Sequence, residues 1–116
     1  MTTAIEANGR RAVLRRLLAL PLLWAGRRAR AQQAAAATVE ITGFAFAPAE
    51  IRIEPGDIVV FVNRDLVPHT ATAGDKSFDT GALRNGERKD IRFPESGTFP
   101  YRCRFHPHMT GTVQVA

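Results

Sequence analysis

Hydrophobic and polar residues alternate in short runs along most of the chain. Val39 and Ile41 alternate with Thr38, Glu40 and Thr42, the two-residue repeat of a strand with one buried face. Phe44-Ala45-Phe46-Ala47 continues the alternation until Pro48 stops it. Ile51 and Ile53 then alternate with Glu50, Arg52 and Glu54 up to the turn pair Pro55-Gly56. Ile58 to Val62 is instead an unbroken, mostly β-branched run, which predicts a strand covered on both faces or crossing the middle of a sheet. Further on, Ile91 and Phe93 face one way, Gly97 turns the chain, and Phe99, Tyr101 and Cys103 share a face opposite Pro100, Arg102 and Arg104. Val113 and Val115 give one side to a closing strand over Thr112–Ala116. Between Asp75 and Glu87 the pattern weakens to loop, with at most a short strand at Ser77 to Thr80.

That makes about seven to eight short strands with Gly and Pro turns and no helical period after residue 38. It predicts an all-β fold, a two-sheet antiparallel β-sandwich without internal repeats. The length of 116 residues and 45% hydrophobic content allow one such domain, over residues 38–116.

Residues 1–31 follow another pattern. A basic stretch, Arg10 to Arg16, precedes an apolar one, Leu17 to Gly26, and Ala29-Arg30-Ala31 supplies a small-residue cleavage pattern before Gln32. This order is that of an export signal peptide. The apolar stretch is about half of the ~20 residues a membrane-spanning helix needs, and Pro21 interrupts it, so no permanent anchor is expected. Gly9-Arg10-Arg11-Ala12-Val13-Leu14-Arg15 resembles the twin-arginine export motif, without the usual Ser or Thr before the arginine pair. Residues 32–37, rich in alanine, read as a flexible linker.

Locating the charges changes their meaning. A net charge of +5 suggests nucleic acid or an anionic membrane, but residues 1–31 hold seven arginines against one acid, Glu6. The leader therefore carries +6 and residues 32–116 carry −1, which leaves no basic patch for nucleic acid. Cys103 is the only cysteine, so no intramolecular disulfide forms. A lone thiol in an oxidising compartment needs protection, and coordination to a metal provides it.

Cys103, His106 and Met109 bring a thiolate, an imidazole and a thioether within seven residues, and His69 offers a second imidazole 34 positions before the cysteine. Two His and one Cys in a trigonal arrangement, with a weak axial Met, form the donor set of blue-copper electron-transfer sites. Soft sulfur favours Cu(I), imidazole suits both oxidation states, and a compromise geometry keeps the change between them small. Cys103 ends a strand on its core-facing side, Arg104 to His108 form a loop short enough to return His106 and Met109 to the same point, and Gly111 lets the chain leave it. Because His69 comes from a distant segment, the whole sandwich preorganises the site. The ordinary alternative is a buried free cysteine, unrelated histidines and a core methionine, each common singly. Order, spacing and flanks together favour the metal. Zinc fits less well, since Met is a poor zinc ligand.

Residues 38–116 resemble a small cupredoxin of the plastocyanin and amicyanin family. The matching stretches are Phe44-Ala-Phe-Ala-Pro-Ala-Glu-Ile-Arg-Ile53, Gly56-Asp-Ile-Val-Val-Phe-Val-Asn63, Pro68-His69 and Tyr101-Arg-Cys-Arg-Phe-His-Pro-His-Met109. The Cys-x-x-His-x-x-Met loop with Pro107 is similar to the short loop of amicyanins. The resemblance implies a Greek-key sandwich and one copper ion held by His69, Cys103 and His106, with Met109 axial. Thr70 stands after His69 where the family often has Asn, which predicts looser hydrogen bonding between the ligand loops. Phe105 replaces a Pro of amicyanin, which predicts a less rigid loop. His108 fits the spacing worse than His106 and is expected to face solvent.

The implied function is a periplasmic type 1 copper protein, a monomer that carries single electrons, mainly through His106, between redox proteins such as a dehydrogenase, cytochrome or oxidase. Val67, Pro68 and Pro107 would collar the His106 edge, as suits brief redox docking. Arg102 and Arg104 read equally as a cationic rim or a solvated face. A periplasmic copper carrier or buffer using the same ligands is the alternative, although no Met-rich or His-rich tract points to storage. An enzyme is disfavoured: three histidines leave no ligands for a second copper centre, and the domain is small for a substrate pocket.

Overall fold

The computed structural model describes residues 34–116; the leader and its cleavage pattern lie outside the described residues. Eight strands run in the order β1 (Ala36–Thr42), β2 (Ala45–Ala47), β3 (Glu50–Ile53), β4 (Ile58–Asn63), β5 (Thr72–Ala73), β6 (Arg88–Arg92), β7 (Gly97–Arg102) and β8 (Thr110–Val115). They form two four-stranded sheets, β2-β1-β4-β6 and β3-β8-β7-β5. The expected all-β two-sheet sandwich is therefore present.

Local alternation does not reveal strand direction, and here the structure refines the antiparallel expectation. β1 pairs parallel with β4, and β3 pairs parallel with β8; the other ladders are antiparallel. The cause is a crossover. After the β1–β2 hairpin the chain passes to the opposite sheet as β3 and returns as β4 beside β1, so those neighbours run the same way. β1 also begins at Ala36, with Ala36 and Ala37 opposite Ile58 and Val59, so two residues assigned to the linker belong to the sheet.

The alternation buries the residues it marks. Val39, Ile41, Val59, Phe61, Val113 and Cys103 are fully enclosed between the sheets, with Phe46, Tyr101, Phe93 and Val115 nearly so. Tyr101 is the hub of the aromatic core, its ring edge-on to Phe46 at 4.7 Å and to Phe61 at 5.3 Å. The weakly patterned segment after Asp75 holds no named strand, yet it turns Phe78 and Leu83 into this core and is tied by bridges His69↔Leu83 and Thr72↔Asp79. Gly111 lies inside β8, outside the left-handed region, so it is not there to release the loop. A Cβ at that position would overlap the Tyr101 ring, and room for that ring is what the glycine provides.

The β1–β2 hairpin turns on two residues, Gly43 at φ 59° and Phe44 at φ 57°. Positive φ at both central positions suits the twist of flanking strands in a two-residue hairpin. Phe44 is nonetheless a bulky side chain where glycine or asparagine is the usual choice.

Candidate metal centre

Two loops meet at one end of the sandwich and bring His69, Cys103 and His106 together, with Met109 on the second loop. Cys103 directly follows β7; its amide donates to the Met109 carbonyl at 3.1 Å, and the Met109 amide donates to the His106 carbonyl at 2.9 Å. These two bonds close the short loop, with Phe105 half exposed on its surface. His69 comes from the β4–β5 connection and exchanges backbone hydrogen bonds with Leu83, at 3.1 and 2.7 Å. Asn63, fully buried at the end of β4, staples the turn between them. Its side-chain amide donates to the carbonyls of Val67 and Leu83, and its carbonyl oxygen accepts from the Asp65 amide.

Both imidazoles present Nδ1 to the thiol. His69 Nδ1 and His106 Nδ1 each lie 3.8 Å from Cys103 Sγ, and the three donor atoms all fall within 4.8 Å of one another. Metal–imidazole and metal–thiolate bonds of about 2.0 and 2.3 Å, opened to a trigonal angle, put nitrogen and sulfur about 3.8 Å apart. The residues thus fit a single trigonal metal. His69 and Cys103 are fully buried, Met109 is buried beside them, and His106 is half-buried. His108 stays outside the donor group, exposed, its ring centroid 6.4 Å from that of His106.

Thr70 ties the two ligand loops together. Its Oγ1 accepts from the Arg104 amide at 2.9 Å, and its own amide points at Cys103 Sγ at 3.4 Å. Thr70 is fully buried. Arg102 and Arg104 are exposed, and Arg104 lies 3.7 Å from Asp79 as a solvated pair that contributes little.

Sequence reasoning missed Asp65. Its carboxylate accepts from His69 Nε2 at 2.8 Å and from the amides of Gly43 and Phe44 at 2.8 and 2.9 Å. Desolvation raises the Asp65 pKa, but the Phe44 and Gly43 amides and the His69 ring outweigh it and hold the carboxyl below its ordinary value. A metal-ligating histidine commonly gives its second ring nitrogen to a carboxylate, which fixes its tautomer. The available signal was an acid four residues before His69, just after an Asn able to cap the turn. Phe44 was read only as a strand residue; its ring stands edge-on to both imidazoles.

Comparison with known proteins agrees with this geometry. Residues 33–116 match the family described as copper binding proteins, plastocyanin/azurin family. The chain is 28% identical over 85 residues to amicyanin of Paracoccus denitrificans, covering 69% of this chain and 65% of that protein, slightly under two thirds of its length. It is 31% identical over 82 residues to amicyanin-alpha of Methylorubrum extorquens, covering 66% of this chain and 69% of the relative. Among solved structures, a Cu-containing nitrite reductase from Thermus scotoductus SA-01 superposes with TM-score 0.65 at 33% identity, over 69% of this chain but only 22% of that one. The cluster of His69, Cys103 and His106 beside Met109 is accordingly one type 1 copper site. With the sandwich, the donor geometry and these matches together, the chain belongs to the copper-binding plastocyanin/azurin family, as a cupredoxin of the amicyanin type.

Proposed function

We propose that this chain is an exported, periplasmic electron carrier rather than an enzyme, with His69, Cys103 and His106 as strong copper ligands and Met109 as the axial one. The observation that carries the reading is the convergence of two Nδ1 atoms on one enclosed thiol, each at 3.8 Å. Copper bound there supplies a one-electron Cu(II)/Cu(I) couple. The chain supplies a fixed cage: buried His69 and Cys103 hold their positions through Asp65, Leu83 and Thr70, so little has to move when the charge changes.

His106, half-buried, is the donor nearest to solvent and the natural exit for an electron. The exposed large hydrophobics among the described residues are Phe44, Leu66, Val67 and Phe105, with Leu66 91% exposed. All four sit on the turns that carry the site. An apolar rim of this size suits brief docking to a redox protein, such as a dehydrogenase or cytochrome, with fast release. The burial of His69, Cys103 and Met109 favours electron transfer over copper delivery, which needs ligands a recipient can reach. Export rests on the leader, outside the described residues.

The test is the spectrum of the copper-loaded, oxidised protein recovered from the periplasm. An intense visible thiolate-to-copper charge-transfer band that Cys103→Ser abolishes is the expected result, together with reversible one-electron titration. A band that survives Cys103→Ser overturns the ligand assignment. Rapid transfer of copper to an acceptor protein without electron exchange would replace the reading by copper carriage.

A further inference from the structure

Phe44 occupies a backbone conformation that bulky side chains rarely adopt, at φ 57°, in a turn where glycine would be at ease. Backbone strain of this kind persists only where its surroundings enforce it, and it gathers at functional sites. The enforcing group is the Asp65 carboxylate, which takes the Gly43 amide on Oδ1 and the Phe44 amide on Oδ2. The same Oδ2 accepts from His69 Nε2 at 2.8 Å. One oxygen therefore couples the turn that carries Phe44 to a copper ligand.

The ring of Phe44 closes the arrangement. Its centroid lies 5.1 Å from that of His69 and 5.1 Å from that of His106, nearly perpendicular to both, and the two imidazoles are themselves 5.1 Å apart. His69 is secured by the carboxylate and by complete burial. His106 is only half-buried, and the edge-on face of Phe44 is packed directly against it. Phe44 is itself 45% exposed, so hydrophobic burial alone does not explain a strained aromatic there.

We propose that Phe44 is a positioning residue for the copper site, latched across both imidazoles by Asp65, and that this latch keeps His106 on the metal in the reduced state. The inference rests on the copper site proposed above and assigns the latch its own role: it slows loss of Cu(I) and limits water at the His106 side. Opening the latch lets His106 leave Cu(I), which accepts fewer ligands than Cu(II), so the reduced form gains and the reduction potential rises.

Phe44→Gly separates this role from a structural one, because glycine accepts the left-handed conformation without strain. The full chain is loaded with copper, reduced, and mixed with a Cu(I) chelator, while the apoprotein is unfolded in urea. The expected outcome is an apoprotein at least as stable as wild type, Cu(I) release at least tenfold faster, and a higher potential; a tenfold change in redox preference is 59 mV for one electron. Asp65→Asn is expected to accelerate release as well, and the double variant to exceed neither single change by much, since the two residues act as one unit. Wild-type release rates in Phe44→Gly, or additive effects in the double variant, overturn the latch. A wild-type protein lacking the charge-transfer band overturns the copper assignment and the latch with it, whereas a normal band with unchanged release overturns the latch alone.

Discussion

Removing one oxygen atom from the centre of the core should stabilise this protein, and should do so more strongly in alkali. Tyr101 is 3% exposed, and its hydroxyl finds no hydrogen-bond partner among the described residues. A buried, unpartnered hydroxyl costs about 1–3 kcal/mol. Tyr101→Phe keeps the ring contacts with Phe46, Phe61 and Phe78, so a gain of about 1 kcal/mol at neutral pH is expected after the small void is counted. Burial also pushes the Tyr101 pKa well above its ordinary value of 10.0. The fold therefore retains a proton that the unfolded chain gives up. This contribution to stability is fully present below pH 10 and is lost above it, at about 1.4 kcal/mol per pH unit for one proton. Phenylalanine has no such proton, so its advantage should grow from about 1 kcal/mol at pH 7 to roughly 2.4 kcal/mol at pH 11. Urea unfolding of both apoproteins at pH 7, 9 and 11 measures the difference directly, because all other titrating groups are shared. A gap that stays constant with pH, or a variant less stable than wild type at pH 7, refutes the reasoning.

Two other substitutions probe the packing around the site. Gly111→Ala forces a Cβ into the Tyr101 ring and should cost about 1–3 kcal/mol, read as a lower urea midpoint with unchanged slope. Thr70→Val leaves the Arg104 amide without its acceptor and should destabilise by about 1–3 kcal/mol, whereas Thr70→Ser, which keeps the oxygen, should recover most of that loss.

The sandwich and the donors were legible in the sequence because both depend on local chemistry. Period-two alternation marks Val39, Ile41, Tyr101 and Val113 for the core whatever the strand order, and a thiol, two imidazoles and a thioether declare their preferences by type. The parallel pairing of β1 with β4 was not legible, since it depends on a crossover that no window of residues contains. Phe78 and Leu83 were hidden for a related reason: single apolar residues in an irregular loop have no period to betray them, yet both end in the core. Thr70 and Gly111 act through partners 34 and 10 positions away, and Asp65 ties His69, four positions on, to Gly43 and Phe44, 22 and 21 positions back, so their identity alone said little. In each case the missing information was spatial proximity between distant segments.

The outermost strand of the first sheet has a consequence for how copies of this protein meet. Among the described residues β6 pairs with β4 on one side only, and along its five residues it displays Arg88, Lys89, Asp90 and Arg92, all exposed. Any foreign strand laid along that border would have to settle its main chain among four charged side chains of mixed sign and lose their hydration. Edge-to-edge strand pairing of the kind that seeds fibrils is thereby discouraged.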